Sequence, residues 1–137
     1  MKIYFAGSIR GGRNDAEIYY QIIEFLREYG EILTEHVGKK DLNELGESVL
    51  SDKQIHDRDM KWLLESDIMV AEVTNPSLGV GYEIGRAIEN GKKILCLYKK
   101  PKNNKLSAMI SGSKKIKNIE YKSINQLKEI LKESIKK

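Results

Sequence analysis

Short apolar runs alternate along this chain with stretches in which apolar residues return every three or four positions, and the alternation repeats five times. The runs are strand-sized: residues 2–6 (K-I-Y-F-A), 32–37, 68–73, 93–98 and 118–121. Between the first two, Ile18, Ile22, Ile23 and Leu26 recur at helical spacing; Ile55, Met60, Leu63 and Leu64 do so after the second. Asn14 or Asp15 is placed to cap the first helix, and Gly30 to stop it in the left-handed conformation that glycine adopts cheaply. Ser51 or Asp52 opens the second helix and Ser66-Asp67 ends it. Residues 79–90 read as a third helix stopped by Gly91, residues 106–110 as a short one, and residues 124–135 as an amphipathic last helix. The polar stretch through about residue 47 reads as a loop or irregular insert.

Strands that are apolar on both sides and separated by helices predict an α/β fold. The expected architecture is a doubly wound, five-stranded parallel sheet in the flavodoxin-like order 2-1-3-4-5, a three-layer sandwich with helices on both faces. At 137 residues the chain is sized for one domain spanning 1–137. In such sheets ligands bind beyond the carboxyl ends of the strands, where the strand order reverses between strands 1 and 3. The loops after those two strands are therefore where chemistry is expected.

Composition narrows the class. With 40% hydrophobic and 32% charged residues the chain is globular rather than disordered. No apolar run approaches the roughly 18 residues a bilayer needs, the single cysteine cannot form an internal disulfide, and the chain opens directly on a strand pattern. These features together predict a cytoplasmic protein with no membrane partner. The net charge of +4 conceals an asymmetry, with residues 99–137 at +9 and residues 1–98 at −5. The tail lysines follow an amphipathic helical period with Tyr121 as the one aromatic among them, so they read as a solvated face rather than a nucleic-acid surface. The two histidines, His36 and His56, stand in no ligand constellation, so no metal or cofactor is expected.

The first candidate loop, Gly7-Ser8-Ile9-Arg10-Gly11-Gly12-Arg13, lies between a strand and a helix. Its glycines allow the backbone N–H groups to approach an anion, the helix start adds partial positive charge, and Arg10 or Arg13 can bond a phosphate bidentately. It is neither a Walker A motif nor a G-x-G-x-x-G fingerprint. The second loop runs from Thr74 through Ser77 and Gly79 to Arg86, with glycines spaced G-x-G-x-x-x-G, which argues against a dinucleotide site. Glu83 is placed in the first turn of the third helix, where the helix dipole keeps a carboxylate ionised and suited to nucleophilic attack. An ordinary capping role explains it equally well. Asp59 interrupts the apolar stripe of the second helix and so needs a partner or a task. Tyr4 in the first strand can aim its hydroxyl at the same cleft, and His36 at the end of strand 2 can face a ligand. His56 reads as solvated, and Cys96 and Trp62 as core.

The blocks Y-F-A-G-S-I-R-G-G-R (4–13), L-T-E-H-V (33–37), I-H-D-R-D-M-K-W-L (55–63), A-E-V-T-N-P-S-L-G-V-G-Y-E-I-G-R-A (71–87), K-I-L-C-L (93–97) and L-S-A-M-I (106–110) closely resemble the 2'-deoxynucleoside 5'-phosphate N-hydrolase (Rcl) family of the nucleoside 2-deoxyribosyltransferase superfamily. The likeness spans nearly the whole chain and departs around residues 38–50 and in the lysine-rich tail. It implies a homodimeric hydrolase that splits a deoxynucleoside monophosphate into free base and 2-deoxyribose 5-phosphate. By the same resemblance, Glu83 is the nucleophile that forms a covalent sugar intermediate, with Asp59 and Tyr4 as its helpers. Ser8, Ile9, Arg10, Gly11, Gly12 and Ser77 fall at phosphate-binding positions, with Gly7 and Gly79 beside them. Ser107 matches a serine reaching the phosphate from the partner subunit, and His36 a residue near the base. The alternatives are a deoxyribosyltransferase, a non-catalytic nucleotide-binding module and, less well supported, a nucleic-acid-binding protein using the basic tail.

Overall fold

The computed structural model describes residues 1–8, 13–34, 50–99 and 105–136. Five parallel strands, β1 (Lys2–Gly7), β2 (Glu31–Ile32), β3 (Ile68–Glu72), β4 (Lys93–Lys99) and β5 (Ile116–Tyr121), form one sheet in the order β2-β1-β3-β4-β5. The expected topology is therefore present, with the order reversing between β1 and β3. Register places Gly7 beside Glu72 and Glu72 beside Leu97, so the carboxyl ends of the central strands finish level.

Side-chain alternation along the strands builds two separate cores. Ile3, Phe5, Ile68, Val70, Leu95, Leu97, Ile119 and Tyr121 pack against α1 (Arg13–Leu26) and the last helix, α5 (Ile124–Lys136). Tyr4, Ala6, Met69, Ala71, Ile94 and Cys96 pack on the opposite face, against α2 (Asp52–Glu65) and α3 (Leu78–Glu89). Every residue of β3 is buried, which is why this strand reads as an unbroken apolar run apart from Glu72. No helix among the described residues is long and apolar enough to cross a membrane.

Local signals explain most boundaries; one open alternative is resolved and three readings need correction. Ser51, not Asp52, caps α2: its Oγ accepts the Gln54 N–H at 3.1 Å, and Gln54 Oε1 accepts the Ser51 N–H at 2.8 Å. The first helix begins at Arg13, so Asn14 and Asp15 lie inside its first turn rather than at its cap. Gly30 does not take a positive φ; Gly91 alone does among the described residues, at 69°. Gly30 is instead needed for close approach, since a Cβ there would stand 2.2 Å from the Met1 carbonyl oxygen. Finally, β5 starts at Ile116 rather than Asn118. It is an edge strand whose exposed Lys117, Asn118 and Glu120 obscure the pattern while discouraging further strand pairing.

Strand 2 is shorter in the sheet than expected, and its continuation uses a side chain. Leu33 donates its N–H to the Ile3 carbonyl at 2.9 Å, and buried Thr34 then takes over. Its Oγ1 accepts the Phe5 N–H at 3.0 Å and donates to the Phe5 carbonyl, satisfying β1 where the ladder stops. A short helix, α4 (Ala108–Ser111), precedes β5.

Candidate active site

Tyr4 and Glu83 meet on the α2/α3 side of the sheet. Tyr4 is buried at 1% exposure in the middle of β1, and its hydroxyl donates to Glu83 Oε2 from α3. Glu83 arrives there because Val80, Ile84 and Ala87 anchor α3 on the sheet, which turns the intervening residue toward β1. Asp59 comes from α2, with its side chain 20% exposed, and its charge acts on both Glu83 and Tyr4. The three residues singled out for catalysis thus converge from three different elements.

The electrostatics differ from the expectation of a dipole-stabilised carboxylate. Glu83 is in the second turn of α3, whose first turn holds no acidic residue. Burial pushes its pKa up to about 7, the Tyr4 hydroxyl pulls it down, and the Asp59 charge adds to the rise. Near neutrality the carboxyl is therefore divided between its acid and ionised forms. Burial and the neighbouring carboxylates raise the Tyr4 phenol well above its ordinary value, so it stays protonated and serves as a donor to Glu83.

Ser77 and Ser107 mark a second feature. Ser77 caps α3, its Oγ accepting the Val80 N–H at 3.2 Å, which orients the hydroxyl and leaves its proton available to donate. Ser107 caps α4 in the same way through the Met109 N–H at 3.2 Å. Both line one cleft of 620 Å³, together with Asn75, Leu78, Lys105 and Met109. Gly81 and Ile84, on either side of Glu83 in the helix, belong to its wall, whereas Glu83 and Tyr4 do not. Ser107 therefore faces the cleft of its own chain beside Ser77. Gly79 is exposed near the Ser77 hydroxyl, and buried Ser8 follows Gly7 at the end of β1. Ile9, Arg10, Gly11, Gly12 and His36 lie outside the described residues.

The profile of the nucleoside 2-deoxyribosyltransferases matches residues 3–128. The chain belongs to the nucleoside 2-deoxyribosyltransferase family. It is 55% identical over 114 residues to the 5-hydroxymethyl-dUMP N-hydrolase of Tetraodon nigroviridis, covering 82% of this chain and 80% of that one. It is 57% identical over 113 residues to the 5-hydroxymethyl-dUMP N-hydrolase of Danio rerio, covering 82% and 79%. Among solved structures, the CMP N-glycosidase BcmB of Clostridium botulinum shares the fold with a TM-score of 0.70, at 21% identity over 98% of this chain and 99% of that one.

Two charged residues, Arg58 beside the site and Glu72 on the other face of the sheet, were not singled out from the sequence. Arg58 donates from Nε to Asp59 Oδ1 at 3.0 Å, and its guanidinium lies 5.0 Å from the Trp62 ring centroid. It fixes the orientation of Asp59 and lowers the Tyr4 pKa against the two carboxylates. Its adjacency to Asp59 in sequence was the available signal. Glu72 is 2% exposed at the end of β3 and was visible only as the one break in an apolar strand. His56 is exposed as expected, with Nε2 2.9 Å from the Tyr82 hydroxyl. Cys96 is fully buried, and Trp62 is partly buried against the second core.

Proposed function

We propose that the chain hydrolyses the N-glycosidic bond of 2'-deoxynucleoside 5'-monophosphates, releasing the base and 2-deoxyribose 5-phosphate. The observation that carries this reading is the Tyr4–Glu83 bond with the Asp59 charge acting on both partners, in a chain 55% identical to a named N-hydrolase. Glu83, in its ionised form, attacks C1' as the C1'–N bond breaks, and the electron pair leaves with the base. Asp59 relays a proton from solvent to the departing base and is left a carboxylate, and the Tyr4 hydroxyl holds Glu83 in line. Water then attacks C1', giving its proton to solvent by way of Asp59 as the C1'–O bond to Glu83 breaks, which returns Glu83 as a carboxylate and frees the sugar phosphate. Positive charge develops at C1' in an oxocarbenium-like transition state, and an adjacent carboxylate stabilises it, as in retaining glycosidases.

The 5'-phosphate is held by Ser8, the segment after it and Ser77, whose Oγ accepts the Val80 N–H and keeps its own proton to donate. That remote binding positions C1' over Glu83. The active unit in this reading is a cytoplasmic homodimer in which Ser107 also reaches the phosphate of the partner subunit's site.

Incubation with a panel of deoxynucleoside monophosphates, including 5-hydroxymethyl-dUMP, followed by chromatography of the free base, tests the activity. The reading requires base release from at least one monophosphate, and none from any of them would refute it. The family profile favours one other reaction, transfer of deoxyribose between bases. Base exchange between unphosphorylated deoxynucleosides, outpacing hydrolysis, would establish that reaction instead.

A further inference from the structure

On the opposite face of the sheet from Glu83, a second polar group is buried among hydrocarbon. The Glu72 carboxylate accepts the Thr74 N–H at 2.8 Å, the Thr74 hydroxyl at 3.0 Å and the Tyr121 hydroxyl. Thr74 Oγ1 also accepts the Lys99 backbone N–H at 2.9 Å, tying the same residue to the end of β4. One position further on, the Asn75 side-chain amide donates to Asp15 in the first turn of α1. A carboxylate as buried as Glu72 is costly to keep, and nothing in the proposed chemistry uses it. Burial raises its pKa while the Tyr121 and Thr74 bonds oppose the rise. Every bond in this group ends on, or supports, the segment from Val73 to Ser77.

That segment delivers Ser77, while Ser8 follows the end of β1 and Asp15 stands in the first turn of α1. The Asp15–Asn75 bond ties that helix directly to the segment. We propose that this bond, backed by Glu72, is a positioning brace that sets the spacing between two proposed phosphate ligands, Ser8 at the end of β1 and Ser77 before α3. The inference rests on the phosphate reading above and adds positioning residues to it. The bond also gives a reason for Asp15: a carboxylate in the first turn of α1 would repel a phosphate there, and the Asn75 amide and the Lys99 charge compensate it.

Three variants of the full chain test the brace: Asn75→Ala, Asn75→Asp, and the swap Asp15→Asn with Asn75→Asp. The swap restores one amide facing one carboxylate with the net charge unchanged. Calorimetric binding of 2-deoxyribose 5-phosphate is measured with each, alongside thermal unfolding. We expect Asn75→Asp to weaken binding about tenfold or more, Asn75→Ala to weaken it less, and the swap to return to within about threefold of the parent. The ratio of kcat/KM for the preferred monophosphate over its nucleoside should fall and recover in the same order, whereas a merely structural defect lowers both substrates together. Unchanged binding in Asn75→Asp, failure of the swap to rescue, or a parent chain that does not bind the sugar phosphate would each overturn the brace. A parent that binds the sugar phosphate but releases no base refutes the hydrolase reading, and the binding series still decides the brace.

Discussion

The Tyr4 hydroxyl donates to the Glu83 carboxylate across the seam between β1 and α3, joining the most buried polar group of one strand to an acid one layer above it. The bond favours the charged carboxylate, whereas burial and Asp59 favour the neutral acid. The balance leaves Glu83 near 7, so small changes around it shift its protonation state at physiological pH.

The first prediction is a rising acid limb. If ionised Glu83 attacks C1', kcat/KM increases with pH through about 7 and levels above it. Tyr4→Phe removes the interaction that lowers the pKa, so the limb should move to higher pH by about one unit. Asp59→Asn removes a charge that raises the pKa, so its limb should move the other way, on a rate lower by roughly 10²–10⁴-fold if Asp59 relays the proton to the base. Initial-rate profiles of the three proteins decide the matter; shifts in the same direction for both variants would contradict the assigned geometry.

Stability should carry the opposite signature at the same residue. Glu83 has a higher pKa folded than its ordinary 4.5, so the folded state holds the proton more tightly than the unfolded chain. Stability from this group is full below about 4.5 and is lost as pH rises through about 7. Glu83→Gln, permanently neutral, should abolish turnover and yet be more stable than the parent at pH 8, by about 1–3 kcal/mol. The difference should shrink toward pH 5. Denaturant titrations at the two pH values measure it, and a variant less stable at pH 8 would show that the carboxylate is not destabilising the fold.

The sheet order was legible because it depends on features that survive in sequence: continuous apolar strands, helical spacing between them and glycine at Gly91. The candidate catalytic residues were legible for different reasons: Asp59 interrupts an apolar helical stripe, Glu83 stands near a helix start behind a glycine-rich loop, and the family resemblance joined both to Tyr4. What sequence could not supply was environment. Glu83 was assigned an ionised state from its position on a helix, but burial outweighs the dipole once α3 is packed against β1. Gly30 was assigned a positive φ from its place after a helix, but the constraint comes from Met1, 29 residues away in the chain. Glu72 was noticed only as an interruption, because the residues that satisfy it come from the ends of β3 and β5.

Ser77 has two roles that substitution can separate. As the cap of α3 its hydroxyl accepts the Val80 N–H, and as a proposed phosphate ligand it donates. Ser77→Ala removes both and should cost about 1 kcal/mol of stability as well as affinity. Ser77→Asp keeps a capping acceptor but places a negative charge toward the phosphate, so it should fold as stably as the parent while KM for the monophosphate rises at least about tenfold. Thermal unfolding and steady-state kinetics on both variants make the comparison. Equal KM values for Ser77→Asp and the parent would remove Ser77 from the phosphate site.

The last prediction concerns which subunit supplies Ser107. Within one chain Ser107 lies on the cleft wall beside Ser77, yet the proposed dimer uses it across the interface. Mixing two crippled proteins distinguishes the arrangements. Glu83→Gln retains Ser107, and Ser107→Ala retains Glu83. In a two-fold dimer with Ser107 acting across the interface, the mixed species contains one site with a native Glu83 from one chain and a native Ser107 from the other. Unfolding and refolding the two together at equal amounts should then restore about a quarter of the parent sites, since half the dimers are mixed and each regains one site of two. If Ser107 serves its own chain, every site in the mixture bears one lesion and no activity beyond the sum of the separate proteins should appear. The measurement is base release at saturating monophosphate before and after subunit exchange. Recovery would establish that the site is completed between subunits, while its absence, with dimers present by light scattering, would place Ser107 in the cleft of its own chain.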